Sequence, residues 1–283
     1  MIFSFLRFFL EFQIGNIFSK RNILVCFGGY VSLVGLAHFS GPIYIQEQNS
    51  IPGSTNRLLA RYKKIDKIFC GFPKTQDFFE EKKAIFSGNL INLNAQKVVK
   101  KKPCSGELDI KIMGGSLGAR LINKTAPKVF SQLSQDFPDF KFILSHQCGK
   151  GNLEETKSYY DSCKKNFDLK LFEFVESMES FYSNADLIIS RAGALSVSEI
   201  CETQNIAIFI PLKNSIDNHQ YENAKFLAEK NSAFICKEDL LEENLKKILF
   251  EIVKNPEILE KMKKNISRIS LTDKKNIIVK KIL

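Results

Sequence analysis

The sequence predicts an α/β protein of two Rossmann-like halves, of which the first is incomplete. Short apolar runs rich in β-branched residues alternate with longer helical patterns, which is typical of parallel β-α-β units. Segments with glycine and polar residues follow several of these runs, at the carboxyl ends of strands where open α/β sheets bind ligands. A length of 283 residues with 44% hydrophobic content suits two domains that each bury a core.

The two halves differ in their number of strands. The first half is expected to have strands at residues 22–27, 42–46 and 67–70, with a weaker candidate at 83–86. The second half is expected to have six, at residues 109–113, 141–145, 170–175, 187–190, 206–211 and 233–236, which suffice for a complete doubly wound sheet. Residues 88–107, with a basic run and Pro103, form the predicted linker, so the domains are placed at residues 1–92 and 93–283.

Charge and cysteine usage limit the classes of partner. The 41 Lys and Arg residues against 31 Asp and Glu residues give a net charge of +10, which attracts nucleic acid, anionic lipid or phosphorylated substrates. No recognition-helix, zinc-finger or RNA-binding motif accompanies the basic runs, so nucleic acid is not expected as a partner. The seven cysteines are scattered singly without a CxxC pair, which indicates a reducing compartment and predicts no metal site and no cofactor.

The N-terminal residues 1–18 are unusually apolar and aromatic. Arg7 and Glu11 interrupt them before they reach the roughly 20 apolar residues that a membrane-spanning helix requires. Two interpretations remain open: a buried amphipathic helix, or a helix whose phenylalanine-rich face touches a membrane surface.

Two glycine-bearing segments follow predicted strands. Residues 28–32 (Gly-Gly-Tyr-Val-Ser) form a turn that by itself says little about function. Residues 114–120 (Gly-Gly-Ser-Leu-Gly-Ala-Arg) are more informative, because they open the helix predicted at 121–137. The backbone amides there, together with the Ser116 hydroxyl, are suited to hold a diphosphate at a helix N-terminus.

Two further polar segments follow strands in the second half. In residues 190–199, the amides near Ala194 and Leu195 can meet sugar or phosphate oxygens. Glu199 can accept hydrogen bonds from both hydroxyls of a ribose, or it can simply complement the helix dipole. Residues 217–223 are dense in amide side chains that suit the hydroxyls of a hexose.

Six ordered motifs carry a resemblance over nearly the whole chain. They read GGYVS at 28–32, EQNSIPG at 47–53, GGSLGAR at 114–120, HQCGK at 146–150, RAGALSVSE at 191–199 and HQYENA at 219–224. In this order and near this spacing, the chain resembles the family 28 glycosyltransferases of bacteria that add GlcNAc to undecaprenyl-diphospho-MurNAc-pentapeptide.

The resemblance implies a GT-B fold and an inverting transfer. In that family the C-terminal domain binds UDP-GlcNAc, and the N-terminal domain docks on the inner membrane and binds the lipid-linked acceptor. The acceptor hydroxyl attacks the anomeric carbon of GlcNAc as UDP leaves. By resemblance, this protein would act at the cytoplasmic face of the bacterial inner membrane, in peripheral contact with anionic lipid.

The resemblance also implies roles for individual residues. Ser116 would contact the donor diphosphate, and the backbone of Val175 would pair with uracil. Ala194, Leu195 and Glu199 would span phosphate, sugar and ribose, with Glu199 on the ribose. Gln220 and Asn223 would hold the GlcNAc hydroxyls, and Asn49 would reach the donor from the N-terminal half. Glu47 is the remaining carboxylate candidate for a general base, with a loop-stabilising role as the alternative.

The chain departs from the family pattern at three places, one of which, Asn92, replaces the arginine that normally assists donor binding. Nothing before Gly28 supplies the family's first strand and its glycine-rich loop ending in histidine, a unit of roughly 30 residues or more. Gln46 and Asn92 stand where the family has histidine and arginine. Two alternatives therefore stay open: a truncated, non-catalytic protein that still binds UDP-sugar, and another GT-B transferase that acts on a different lipid acceptor.

Overall fold

A computed structural model describes residues 22–29, 31–33, 39, 41–99, 106–115, 117–163, 166–273 and 276–282. Residues 1–18, with their predicted amphipathic helix, and Ser116 therefore lie outside the described residues. The chain divides into two compact units. Unit 1 comprises residues 1–89 and 272–283, and unit 2 comprises residues 90–271.

The strands and helices follow one another in chain order. The strands are β1 (Leu24–Cys26), β2 (Ile43–Glu47), β3 (Ile65–Cys70), β4 (Ala84–Phe86), β5 (Glu107–Met113), β6 (Lys141–Gln147), β7 (Phe167–Phe172), β8 (Leu187–Ser190), β9 (Ala207–Phe209) and β10 (Ala233–Ile235). The helices are α1 (Ser54–Ala60), α2 (Arg120–Asp136), α3 (Leu153–Asp161), α4 (Met178–Tyr182), α5 (Ala194–Glu202), α6 (His219–Ala228), α7 (Leu241–Lys254), α8 (Glu257–Ile266) and α9 (Ile277–Ile282). None of the described helices is long and apolar enough to cross a bilayer.

Unit 1 is built on a parallel sheet in the order β1-β2-β3-β4. Alternate residues of β2 point to opposite faces. Ile43 and Ile45 pack into a core cluster with Leu59 of α1, whereas Tyr44 packs on the other face with Phe69 and Ile278. Both faces of the sheet are therefore covered, as expected for parallel strands.

The last residues of the chain belong to unit 1, which differs from the predicted division into 1–92 and 93–283. The Asp273 carboxylate accepts hydrogen bonds from the backbone N–H groups of Ile277 (2.6 Å) and Ile278 (3.0 Å) at the start of α9. Helix α9 then lays Ile278 and Ile282 on the face of the sheet that carries Tyr44. The return of the chain to unit 1 buries this apolar face of the sheet.

Unit 2 contains the six strands that the sequence predicts, in one parallel sheet. The order is β7-β6-β5-β8-β9-β10, so the first strand of the unit lies in the middle. From β5 the chain moves to one side through β6 and β7, then returns to place β8, β9 and β10 on the other side. The strand order therefore reverses between β5 and β8, and such a switch point is where open α/β sheets bind ligands.

Strand β7 lies at one edge of this sheet and ends three residues earlier than the sequence suggests. It pairs only with β6, and its last residue, Phe172, lies opposite Gln147, the last residue of β6. Because no strand extends the pairing further, Val175 lies in the loop after β7 and not within a strand.

Candidate active site

The switch point of unit 2 opens into a cavity of about 520 Å³. The loop after β5 and the loop after β8 line it, together with Leu212 and Gln220. We refer to it as the switch-point cavity. Its volume lies in the range of about 300–1,000 Å³ that is typical of small-molecule sites.

The loop after β5 depends on glycine where it meets the turn after β6. Gly118 has φ +75° and Gly149 has φ +89°, a backbone conformation that residues with a Cβ rarely adopt. A Cβ on Gly118 would overlap the carbonyl oxygen of Cys148, and a Cβ on Gly149 would overlap the backbone nitrogen of Gly118. The two motifs GGSLGAR and HQCGK are thus explained together, because their backbones touch.

A buried chain of hydrogen bonds holds this backbone contact in place. Asn123 of α2 donates through Nδ2 to the Cys148 carbonyl (2.9 Å), so its Oδ1 accepts from Nε2 of His146 (3.1 Å). Nδ1 of His146 then accepts from the Tyr160 hydroxyl (3.0 Å). Burial lowers the pKa of His146 to about 3, so the ring is neutral at physiological pH. His146 is therefore a structural residue of the loop.

Two helices present their N-termini to the switch-point cavity. Helix α2 begins at Arg120 and helix α5 begins after Gly193, and both of these residues line the cavity. Neither helix has an acidic residue in its first turn, whereas α3, α7 and α8 each have two. The positive ends of the two helix dipoles are thus not neutralised by their own side chains, which favours an anionic ligand.

Predicted contacts at the start of α5 fit this arrangement. Gly193 precedes the helix in an extended conformation without a side-chain cap. The backbone N–H groups of Ala194 and Leu195 belong to the first helical turn, where amides have no partner within the helix. Their predicted contact with phosphate or sugar oxygens remains a prediction, as does that of Ser116.

A second, smaller cavity of about 110 Å³ adjoins the first and shares Met113 and Gly115 with it. Gln147 also lines it, and the remaining walls are apolar, with Phe174 and Val175 from the loop after β7 and Met178 and Phe181 from α4. We refer to it as the aromatic cavity. Val175 thus lies at a cavity wall, and the largely apolar and aromatic surroundings suit a heterocyclic base.

Gln147 connects the two cavities. Its Nε2 group donates to the Gly115 carbonyl and to the Glu173 carbonyl, both at 3.0 Å. Both amide hydrogens are used in this way, so Gln147 ties the loop after β5 to the loop after β7.

Glu199 lies on α5 and accepts a hydrogen bond from the Tyr182 hydroxyl (3.0 Å). The same hydroxyl lies 3.7 Å from the sulfur of Met113, which lines both cavities. Burial raises the pKa of Glu199, and the hydrogen bond from Tyr182 partly opposes this shift. Glu199 is thus linked through Tyr182 to Met113 at the cavity walls, and its predicted contact with the hydroxyls of a ribose remains a prediction.

The structure separates Gln220 from Asn223. Gln220 lines the switch-point cavity, and its Oε1 accepts from the backbone N–H of Leu212 (3.0 Å), so its Nε2 group is the end that can meet a ligand. Asn223 is fully buried and donates to the carbonyl of Ala192 (3.2 Å). The side-chain amide of Asn223 thus supports the loop after β8, and its predicted contact with a sugar remains a prediction.

In unit 1, Glu47 organises the loop that follows β2. Its Oε1 accepts from the backbone N–H (2.9 Å) and side-chain amide (3.3 Å) of Asn49. Its Oε2 accepts from the Gly53 N–H (3.1 Å) and the Asn56 side chain (2.7 Å). The residue is 2% exposed. This geometry favours the loop-stabilising interpretation of Glu47 over that of a general base, because both oxygens are already engaged.

Arg191, Tyr182 and Phe174 line or support the cavities but were not singled out from the sequence. Arg191 stands at the head of the motif RAGALSVSE, which was the available signal. Tyr182 reaches Glu199 from another helix, and Phe174 projects from a loop with 68% of its surface exposed. No local pattern in the sequence marks either contact.

Comparison with known proteins assigns the family. Residues 110–280 match the model of the glycosyltransferase family 28 C-terminal domain. This chain belongs to glycosyltransferase family 28.

Relatives in family 28 match most of the chain. An Acinetobacter baumannii protein named UDP-N-acetylglucosamine--N-acetylmuramyl-(pentapeptide) pyrophosphoryl-undecaprenol N-acetylglucosamine transferase is 35% identical over 254 residues, covering 86% of this chain and 67% of the relative. The protein of the same name from Shewanella denitrificans is 32% identical, covering 91% and 70%.

Solved structures agree with the assignment to family 28. The crystal structure of Acinetobacter baumannii MurG superimposes with a TM-score of 0.78 at 30% identity, covering all of this chain and 80% of the other. The UDP-GlcNAc 2-epimerase of Neisseria meningitidis shares the fold alone, with a TM-score of 0.59 at 13% identity. The chain thus has the GT-B fold, as its two parallel sheets with interleaved helices require.

Proposed function

We propose that this chain transfers GlcNAc from UDP-GlcNAc to undecaprenyl-diphospho-MurNAc-pentapeptide, a step in peptidoglycan synthesis. It is a hexosyltransferase, and its named relatives carry that activity. One structural observation carries the donor half of the proposal: the helix N-termini at α2 and α5 open on one cavity, and a cavity suited to a base adjoins it.

The donor fits the two cavities in one order. The uracil would lie in the aromatic cavity, with its edge toward the backbone of Val175. The ribose hydroxyls would bind Glu199, and the diphosphate would lie between the two helix N-termini. The sugar would then point to Gln220, which lines the switch-point cavity.

The chemistry needs stabilisation of the leaving group. A hydroxyl of the acceptor attacks the anomeric carbon and loses its proton to a base or to solvent. The bond from that carbon to the diphosphate oxygen breaks, and UDP leaves with the electron pair. Negative charge therefore grows on the diphosphate in the transition state. The dipoles of α2 and α5 and the cation of Arg191, which lines the cavity, would stabilise this charge.

The donor site predicts a loss of UDP affinity on removal of one carboxylate. Glu199→Ala should weaken UDP binding by about 1–3 kcal/mol, because two ribose hydroxyls lose a charged acceptor. Titration calorimetry on the full chain measures this directly. Glu202→Ala is the matched control, since Glu202 lies on the same helix but bonds to Ser270. Equal losses in both variants, or no loss in Glu199→Ala, would contradict the assignment.

Transfer itself requires an acceptor assay. Labelled GlcNAc should pass from UDP-GlcNAc to the lipid-linked acceptor in the presence of the chain, and UDP should be released in equal amount. UDP binding without transfer would favour the alternative of a non-catalytic UDP-sugar-binding protein. Transfer to a different lipid-linked sugar or to diacylglycerol, but not to this acceptor, would favour another GT-B lipid glycosyltransferase.

An acceptor with an undecaprenyl chain stays in the bilayer, so we propose peripheral contact with the cytoplasmic face of the inner membrane. The net charge of +10 and the run of phenylalanines in residues 1–18 support this. The chain should co-sediment with anionic vesicles, and less so as salt rises, because the Debye length is about 8–10 Å near physiological ionic strength.

Replacing Phe5, Phe8 and Phe9 by serine should weaken vesicle binding at every salt concentration, because apolar insertion does not depend on ionic screening. Vesicles of neutral lipid serve as the control for the charge contribution. If the wild-type chain ignores anionic vesicles, the membrane proposal is wrong and these phenylalanines have another role.

A further inference from the structure

An ion pair connects the switch-point cavity to the loop after β10, the edge strand of the sheet. Nη1 of Arg191 lies 2.7 Å from Oε1 of Glu238, and the two side chains are only 15% and 14% exposed. The same Nη1 donates to the carbonyl of Ile210 (3.0 Å). Arg191 follows β8 and lines the cavity, whereas Glu238 follows β10.

Glu238 also binds the loop after β9, which lies between the loops after β8 and β10. Its second oxygen, Oε2, accepts the backbone N–H of Lys213 (2.9 Å) in the loop after β9. One carboxylate therefore joins the loops after three neighbouring strands. Leu212, next to Lys213, lines the switch-point cavity. The shape of that cavity therefore also depends on the hydrogen bond between Glu238 and the Lys213 backbone.

The orientation of the guanidinium follows from these contacts. Both hydrogens of Nη1 are engaged, one with Glu238 and one with Ile210, and the planar group is thereby fixed at one corner. The N–H groups on Nε and Nη2 are then the ones available to a ligand in the cavity that Arg191 lines. A fixed guanidinium fork recognises phosphate oxygens with defined geometry.

We infer that Glu238 is a positioning residue for the donor diphosphate, acting through Arg191. This inference rests on the proposed function, because it assumes that a nucleoside diphosphate occupies the switch-point cavity. Glu238 does not itself line the switch-point cavity. It sets the direction of the one cation that we assign to the diphosphate, and it keeps Leu212 at the wall.

Two possible roles of Glu238, as a repulsive charge and as an anchor for Arg191, predict opposite changes in UDP affinity when it is removed. A carboxylate near the cavity repels a diphosphate, so its removal by charge alone should tighten UDP binding. If the carboxylate positions Arg191, its removal should weaken UDP binding instead, because the guanidinium loses its anchor. The sign of the change therefore distinguishes the two roles.

Asp239→Ala provides the matched control. Asp239 is the next residue, it carries the same charge, and its ion pair is with the exposed Nζ of Lys213 (2.6 Å) and not with Arg191. Both variants remove one negative charge from the same loop. A difference between them thus reports the contact with Arg191 and the Lys213 backbone.

The experiment measures UDP and uridine affinities by calorimetry on the full chain and on both variants. Glu238→Ala should lower the ratio of UDP to uridine affinity by about tenfold, the loss expected for a charged hydrogen bond to the diphosphate. Asp239→Ala should leave the ratio unchanged or slightly raised. If Glu238→Ala does not fold, Glu238→Gln, which keeps the volume and one acceptor oxygen, takes its place.

Two outcomes would overturn the inference. The ratio of UDP to uridine affinity could rise in the Glu238 variant, or it could stay unchanged, as it would if loss of a purely structural residue weakened both ligands equally. Failure of the proposed function looks different, because the wild-type chain would then bind neither UDP nor uridine in a saturable manner.

Discussion

Gly118→Ala is expected to abolish most UDP affinity and to destabilise unit 2 by several kcal/mol. Alanine at φ +75° costs about 1–2 kcal/mol in backbone strain. The added Cβ also overlaps the Cys148 carbonyl, and overpacking of this kind costs about 1–3 kcal/mol more. Relief of the overlap must move the loop after β5, which lines the switch-point cavity. Urea unfolding and UDP calorimetry measure the two effects.

Gly151→Ala is the matched control for this substitution. Gly151 has φ +77°, close to that of Gly118, but a Cβ there meets nothing within 4 Å. The free energy of unfolding of Gly151→Ala should therefore fall only by the cost of backbone strain, and UDP binding should be retained. Similar behaviour of the two variants would show that the close backbone contact between the loops after β5 and β6 does not shape the site.

The second large effect is an acid sensitivity that one histidine causes. His146 has a folded pKa of about 3 against roughly 6.5 in the unfolded chain. Between these values the unfolded state binds a proton that the folded state excludes. The stability that neutral His146 contributes is therefore fully present above about pH 6.5 and is lost as the pH falls toward 3, at up to about 1.4 kcal/mol per pH unit.

His146→Gln should flatten this dependence. Glutamine offers one donor and one acceptor, as the neutral ring does toward Asn123 and Tyr160, but it does not titrate in this range. The difference in unfolding free energy between wild type and variant should therefore shift in favour of the variant as the pH falls from 7 to 4.5. Denaturant melts across this range test it. A difference that is constant with pH would mean that protonation of His146 does not limit stability.

Comparison of the elements shows why local patterns predicted much of the fold. Strand β8 was predicted at its observed bounds, 187–190, because all four of its residues are buried in a central strand and form an unbroken apolar run. Helix α2 lies within one residue of its predicted bounds at each end, because the glycine-rich loop marks its start. Fully buried strands and tight turns that need glycine can therefore be predicted from short stretches of sequence.

The sequence by itself thus determined the fold class, the six strands of unit 2, the family and the segments that line the switch-point cavity. Tertiary structure alone decided the contacts between distant segments. Glu47 is engaged by its own loop, Asn223 turns inward to the loop after β8, and Arg191 meets Glu238 across three strand ends. The return of α9 to unit 1 is of the same kind. Periodicity records which face of an element is apolar, but which partner a polar atom finds depends on chain segments that meet only after folding.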